Sequence, residues 1–150
     1  MSTPFELHLP RSLLEAMIAH AQAELPNECL GLLAGRIVRD DPATTIAIGQ
    51  VVKRYPLINA LASPTEFLSE PRSMMEADRD MRADHLELLA IYHSHPTTHP
   101  VPSAKDRDRS YSSNVVNVII SLKGEKPEVK AWWLTEADHS PAKWVVIDGA

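Results

Sequence analysis

Two histidines separated by one residue, His93 and His95, run into a proline-rich stretch, and Asp106 follows after ten intervening residues. On an extended backbone, side chains i and i+2 project to the same side. Two imidazoles so placed at a strand's end can hold one zinc ion once a third ligand arrives. Pro96, Pro100 and Pro102 stiffen the path to Asp106 and limit the conformations that must be frozen for it to return. With Ser103 as N-cap of a following short helix, Asp106 stands at its third position, on the first turn. Three protein ligands leave one tetrahedral position open, the mark of a catalytic rather than a structural zinc. Taken singly, each of these residues reads as an ordinary surface group. The set of three, fed by an apolar strand, points to a metal.

A zinc hydrolase also needs a base to take a proton from water. Glu28 is the candidate, standing before an apolar run with Gly31 three residues on. A carboxylate entering such a strand is costly unless it serves a purpose or stays in water. The residues alone leave both readings open, with an exposed turn slightly ahead. His99 lies between two prolines and reads as a solvated loop histidine, while His8, His20, His85 and His139 lack partner spacing and read as structural or exposed.

The elements that must position these groups follow from periodicity. Leu13, Leu14, Met17, Ile18 and Ala21 recur at helical spacing and predict a helix over 10–24, ended by Pro26. The run at 27–38 reads as a buried strand, 40–42 as a turn, and the alternating, β-branched run at 44–54 as a paired strand. Three prolines and an asparagine make 55–71 an irregular connection. A second helix is expected over 72–87 and a central strand over 88–93, ending at the first histidine. After the loop at 95–102 come a short helix near 104–110 and strands at 115–122, 128–134 and 143–147, with turns at 123–124 and 138–141. This is a mixed α/β layer arrangement.

At 150 residues the chain is expected to form one domain, 1–150, with a core that needs no disulfide support. Its single cysteine, Cys29, excludes an internal disulfide and a four-thiolate zinc site. A net charge of −5 disfavours a basic nucleic-acid face, and the dense charges at 104–109 alternate in sign like a solvated helical turn. No apolar run reaches the length of a membrane span, and the first ten residues carry no secretory signal. The expectation is a cytoplasmic enzyme or binding module, with no nucleic acid and no membrane among its partners.

The motifs resemble those of the JAMM (MPN-plus, Mov34-type) zinc metallopeptidases of the small prokaryotic type. One is ECLGLLAG at 28–35; the other is His93-Ser94-His95-Pro96, then Pro102-Ser103 and Asp106, with no departure at a defining position. Asn59, Pro64 and Phe67 resemble, more loosely, a connecting segment of the same group. The resemblance implies a curved mixed β-sheet flanked by helices, the JAB/MPN, cytidine-deaminase-like arrangement. It implies one Zn2+ per chain held by His93, His95 and Asp106 with water as fourth ligand, Glu28 as general base, and Ser103 as donor to the developing oxyanion. Ser94 would secure the loop, and Cys29, on the opposite face of its strand, would belong to the core. The implied reaction is hydrolysis of an amide or isopeptide bond after the C-terminal diglycine tail of a ubiquitin-like or sulfur-carrier protein. The competing reading is a non-catalytic MPN scaffold, which would lack ligands that this chain retains. A cytidine deaminase is excluded by the missing H-x-E and P-C-x-x-C, a classical zinc protease by the missing H-E-x-x-H, and an H-x-H barrel hydrolase by length.

Overall fold

The computed structural model describes residues 5–39, 47–108, 114–135 and 137–148. Phe5, Leu7 and Leu9 alternate inward with Glu6 and His8, forming β1 (Phe5–Pro10), and Pro10 leads directly into α1 (Arg11–Ala23). There follow β2 (Leu30–Val38), β3 (Ala47–Leu57), α2 (Pro71–Ala83), β4 (Glu87–His95), α3 (Ala104–Asp108), β5 (Val116–Ser121), β6 (Glu128–Leu134), β7 (His139–Pro141) and β8 (Trp144–Ile147). The eight strands make one mixed sheet in the order β7-β6-β5-β4-β2-β3-β1-β8. β1 runs parallel to both β3 and β8, and β4 parallel to β5. The other neighbours are antiparallel.

Each face of the sheet carries its own core. On one, α1 buries Met17 and Ala21 among Leu7, Leu9, Leu33, Tyr92 and Val118. On the other, α2 buries Ala77 and Met81 among Leu30, Leu32, Leu57 and Ile91. The alternation within β2 and β4 therefore sends Leu30, Leu32, Ile91 and the histidines toward the α2 side, and Cys29 and Tyr92 toward the α1 side. α2 begins on a cap: the Glu70 carboxylate accepts the Arg72 and Ser73 N–H groups at 2.7 and 3.0 Å, with Pro71 at the first helical position. Asp80 ties this helix to β3 by accepting from Lys53 at 2.5 Å and from the Tyr55 hydroxyl.

The expected α/β class and sheet flanked by helices are found. Several elements differ. β1 was not anticipated, and the first helix starts one residue past Pro10. The region at 55–71 is not wholly irregular: β3 continues to Leu57, and Asn59 bridges Ser69. α2 stops at Ala83 because Asp84 caps it and His85 turns the chain at a positive φ of 54°. β4 is longer at its end, carrying both histidines inside the ladder. The 138–141 turn contains β7. The turn at 40–42, the start of the 44–54 strand and the end of the 104–110 helix lie outside the described residues.

Candidate metal centre

β4 delivers His93 and His95 on one face, side by side with β5 through the His93↔Ile119 and His95↔Ser121 pairs. Asp106 comes from α3. Its carboxylate accepts the Ser103 N–H at 2.9 Å while its own N–H donates to the Ser103 hydroxyl oxygen at 3.1 Å. This reciprocal cap fixes where the acid points. The three side chains are buried and converge: His93 Nε2 lies 3.2 Å from His95 Nε2 and from Asp106 Oδ1, and His95 Nε2 lies 3.1 Å from the other carboxylate oxygen, Asp106 Oδ2.

Those spacings fit a cation. A tetrahedral zinc with bonds of about 2.0–2.1 Å separates its ligand atoms by about 3.3–3.4 Å, close to what is seen. The donor chemistry agrees as well. His95 Nδ1 faces the His99 carbonyl at 2.8 Å; a carbonyl only accepts, so Nδ1 carries the hydrogen and Nε2 presents its lone pair inward. Burial alone would raise the Asp106 carboxyl, but the two rings and the Ser103 N–H outweigh it and hold the group well below the usual carboxylate range. For His95 burial would lower the pKa, and the contacts with Asp106 and the His99 carbonyl raise it instead.

Glu28 is 4% exposed, so the turn-in-water reading is overturned. β2 and β4 pair Leu30 with His93, and Ser94 N–H donates to the Cys29 carbonyl at 3.1 Å, which sets Glu28 on the histidine face opposite His95. Its Oε1 is buried without a hydrogen-bond partner. Burial pushes its carboxyl up to about 8; the nearby His95 opposes this and Asp106 adds to it. A buried, unpaired carboxyl oxygen beside three converging ligand atoms is the arrangement a water-activating base requires.

The remaining expectations fall as follows. The Ser94 hydroxyl accepts the Cys29 N–H at 2.8 Å and so ties down the lead-in to β2. Cys29 is buried in the α1-side core and its thiol is pushed up to about 11 by burial, the state of a structural cysteine. His99 is exposed, as expected. Ser103 is exposed, and its hydroxyl hydrogen is left to donate. Asn59 has a role that its type did not announce. Its amide donates to the Glu28 carbonyl at 3.1 Å and the Glu66 carbonyl at 3.0 Å, and its Oδ1 accepts the Leu61 and Leu68 N–H groups, both at 3.1 Å. The Glu28 N–H donates to the Ser63 carbonyl at 2.8 Å, so the 58–70 segment grips Glu28 from both sides. Phe67, from that segment, lays its ring 4.6 Å from the His93 ring. It also lines an apolar cavity of about 390 Å³, with Leu30, Leu57, Met74 and Ile91, beside the centre.

Residues 10–135 match the family described as prokaryotic homologs of the JAB domain. Over 101 residues the chain is 39% identical to a probable TtuB-protein conjugate cleaving protease of Thermus thermophilus, covering 67% of this chain and 60% of that protein. It is 31% identical over 122 residues to the CysO-cysteine peptidase of Mycobacterium tuberculosis, covering 81% and 77% respectively. Among solved structures, a Desulfitobacterium hafniense protein determined in solution superposes with a TM-score of 0.82 at 33% identity, covering 95% of this chain and 94% of that one. No helix among the described residues is long and apolar enough to cross a membrane.

Proposed function

Because the chain belongs to the prokaryotic homologs of the JAB domain, we propose that it is a single-domain, cytoplasmic zinc metallopeptidase. Its proposed substrate is the amide or isopeptide bond that follows the C-terminal diglycine tail of a ubiquitin-like or sulfur-carrier protein. The observation that carries this reading is the buried convergence of His93, His95 and Asp106 with the buried, unpaired Glu28 Oε1 beside them. The names of the Thermus and mycobacterial relatives, a conjugate-cleaving protease and a peptidase, support the reaction class.

His93, His95 and Asp106 would hold the ion, and zinc suits two imidazoles and a carboxylate with an open position. Once bound, it supplies Lewis acidity, acidifying water and polarising the carbonyl under attack. Glu28 takes the proton from the attacking water and returns it to the leaving amine, general acid–base work worth about 10²–10⁴-fold. The Ser103 hydroxyl, already accepting from Asp106 N–H, donates its hydrogen to the oxyanion as charge develops. The tail's glycines lack side chains, which lets backbone approach the buried ligands closely. The apolar cavity beside Phe67 gives the preceding residues a wall to lie against.

The test is cleavage of a fusion whose linker is the diglycine end of a ubiquitin-like protein. Cleavage after the second glycine, abolished by chelator and restored by zinc, supports the proposal. A chain that takes up no zinc and leaves every such fusion intact supports the non-catalytic scaffold instead.

A further inference from the structure

His95 meets the proposed ion through Nε2 only while its Nδ1–H stays on the His99 carbonyl, and that carbonyl belongs to a largely exposed loop. The same carbonyl accepts the Val101 N–H at 2.8 Å, but that bond lies within the loop and leaves the loop free to shift against the sheet, turning the ring or changing its tautomer. Two side chains from outside the loop prevent this. The Ser121 hydroxyl, at the end of β5, donates to the Thr98 carbonyl at 2.5 Å and accepts the Lys123 N–H at 3.2 Å. The indole Nε1–H of Trp132, on β6, donates to the Pro100 carbonyl at 2.9 Å. Thr98 and Pro100 are the neighbours of His99 on either side, so the chain is pinned just before and just after the His99 carbonyl. Trp132 is itself braced, with its ring edge-on to His139 at 5.1 Å and its backbone paired with Asn117 and Pro141.

We propose that Trp132 and Ser121 are positioning residues for the metal centre: by holding the carbonyls on both sides of His99 they fix the acceptor that sets the His95 tautomer. This rests on the metal reading above but names residues that touch neither ion nor substrate. Partners that orient a ligating histidine typically matter by about 10–100-fold in metal affinity or activity. A chain of contacts from β6 through the loop to β4 thereby makes ligand geometry depend on the far half of the sheet.

The experiment uses the full chain with Trp132→Phe, which keeps the ring and loses the N–H, with Ser121→Ala, and with both. Zinc affinity is read by competition with a chromophoric chelator. The tautomer of the neutral His95 ring in zinc-free protein, at alkaline pH, is read by long-range ¹H–¹⁵N ring correlations. We expect about 10-fold weaker zinc binding in each single variant and up to about 100-fold in the double variant. We also expect a shift of His95 from its Nδ1–H form toward Nε2–H. Should the double variant fail to fold, the Trp132→Phe result decides. Wild-type affinity with an unchanged ring spectrum in the variants overturns this inference alone, as does weakened affinity with the tautomer intact. A wild-type chain that takes up no zinc overturns the metal reading and this inference with it.

Discussion

At the scale of single residues, the site places charge where water is scarce. Glu28 carries a carboxyl whose pKa burial lifts to about 8, so in zinc-free protein its ionised form is disfavoured by folding. The sign follows: an acid whose folded pKa exceeds its unfolded value stabilises most at low pH and loses that contribution as pH rises. Zinc-free wild-type protein is therefore expected to lose stability between about pH 5 and 8, on the order of a few kcal/mol at most, relative to Glu28→Gln, which cannot ionise. Denaturant midpoints at a series of pH values check this; parallel curves for the two proteins would refute it. Asp106→Asn removes the charge that the two rings face, and we expect zinc content near one per chain to fall close to zero while the sheet still forms. Elemental analysis and circular dichroism together test that. The convergence of the histidine pair and the aspartate was legible because their spacing is a local, one-dimensional pattern. Glu28 was not legible from its own residue type, since whether a carboxylate at a strand entrance is wet or dry depends on what packs over it, here the 58–70 segment.

Elements decide whether those residues meet. Asn59 uses four hydrogen bonds to stitch the 58–70 segment and hold the Glu28 carbonyl. Asn59→Ala should cost about 1–3 kcal/mol from the polar groups left unpaired. It should also lower the turnover number more than it changes the Michaelis constant, because it loosens the proposed base. Thermal melts and steady-state kinetics separate the two effects. At the bulge in β2, a Cβ on Gly35 would sit 1.8 Å from the Gln50 carbonyl oxygen, which belongs to backbone and cannot swing aside. Gly35→Ala is accordingly expected to destabilise by about 1–3 kcal/mol or more, read as a shifted denaturant midpoint. The helices were visible in the sequence because their apolar faces repeat. β1 was not, although Phe5, Leu7 and Leu9 alternate, because Pro10 joins strand to helix with no turn between them to mark the boundary. The three-residue β7 is too short to show a period at all. The end of α2 was overrun because Met81 and His85 keep the helical spacing, while the actual stop depends on the positive φ at His85.

For the whole molecule, the sheet places two independent cores back to back and leaves the ligand cluster at the C-terminal end of β4, where α3 and the 58–70 segment close over it. The Lys105–Glu66 ion pair, 2.9 Å long, joins those two covers. Ion binding to the folded chain alone stabilises by mass action, about 2.7 kcal/mol at a free zinc concentration of one hundred times Kd. The melting temperature should therefore fall with chelator and recover with added zinc. The α/β class was readable from alternating elements, whereas the strand order was not, since the parallel pairing of β8 with β1 joins opposite ends of the chain. The central claim, that a buried ion is held by three ligands and served by a separate base, is tested most directly by measuring zinc content and diglycine-fusion cleavage side by side in the Glu28→Gln chain. We predict about one zinc per chain, as in wild type, with cleavage slowed by about 10²–10⁴-fold. Zinc lost along with activity, or cleavage within a few-fold of wild type, would contradict it.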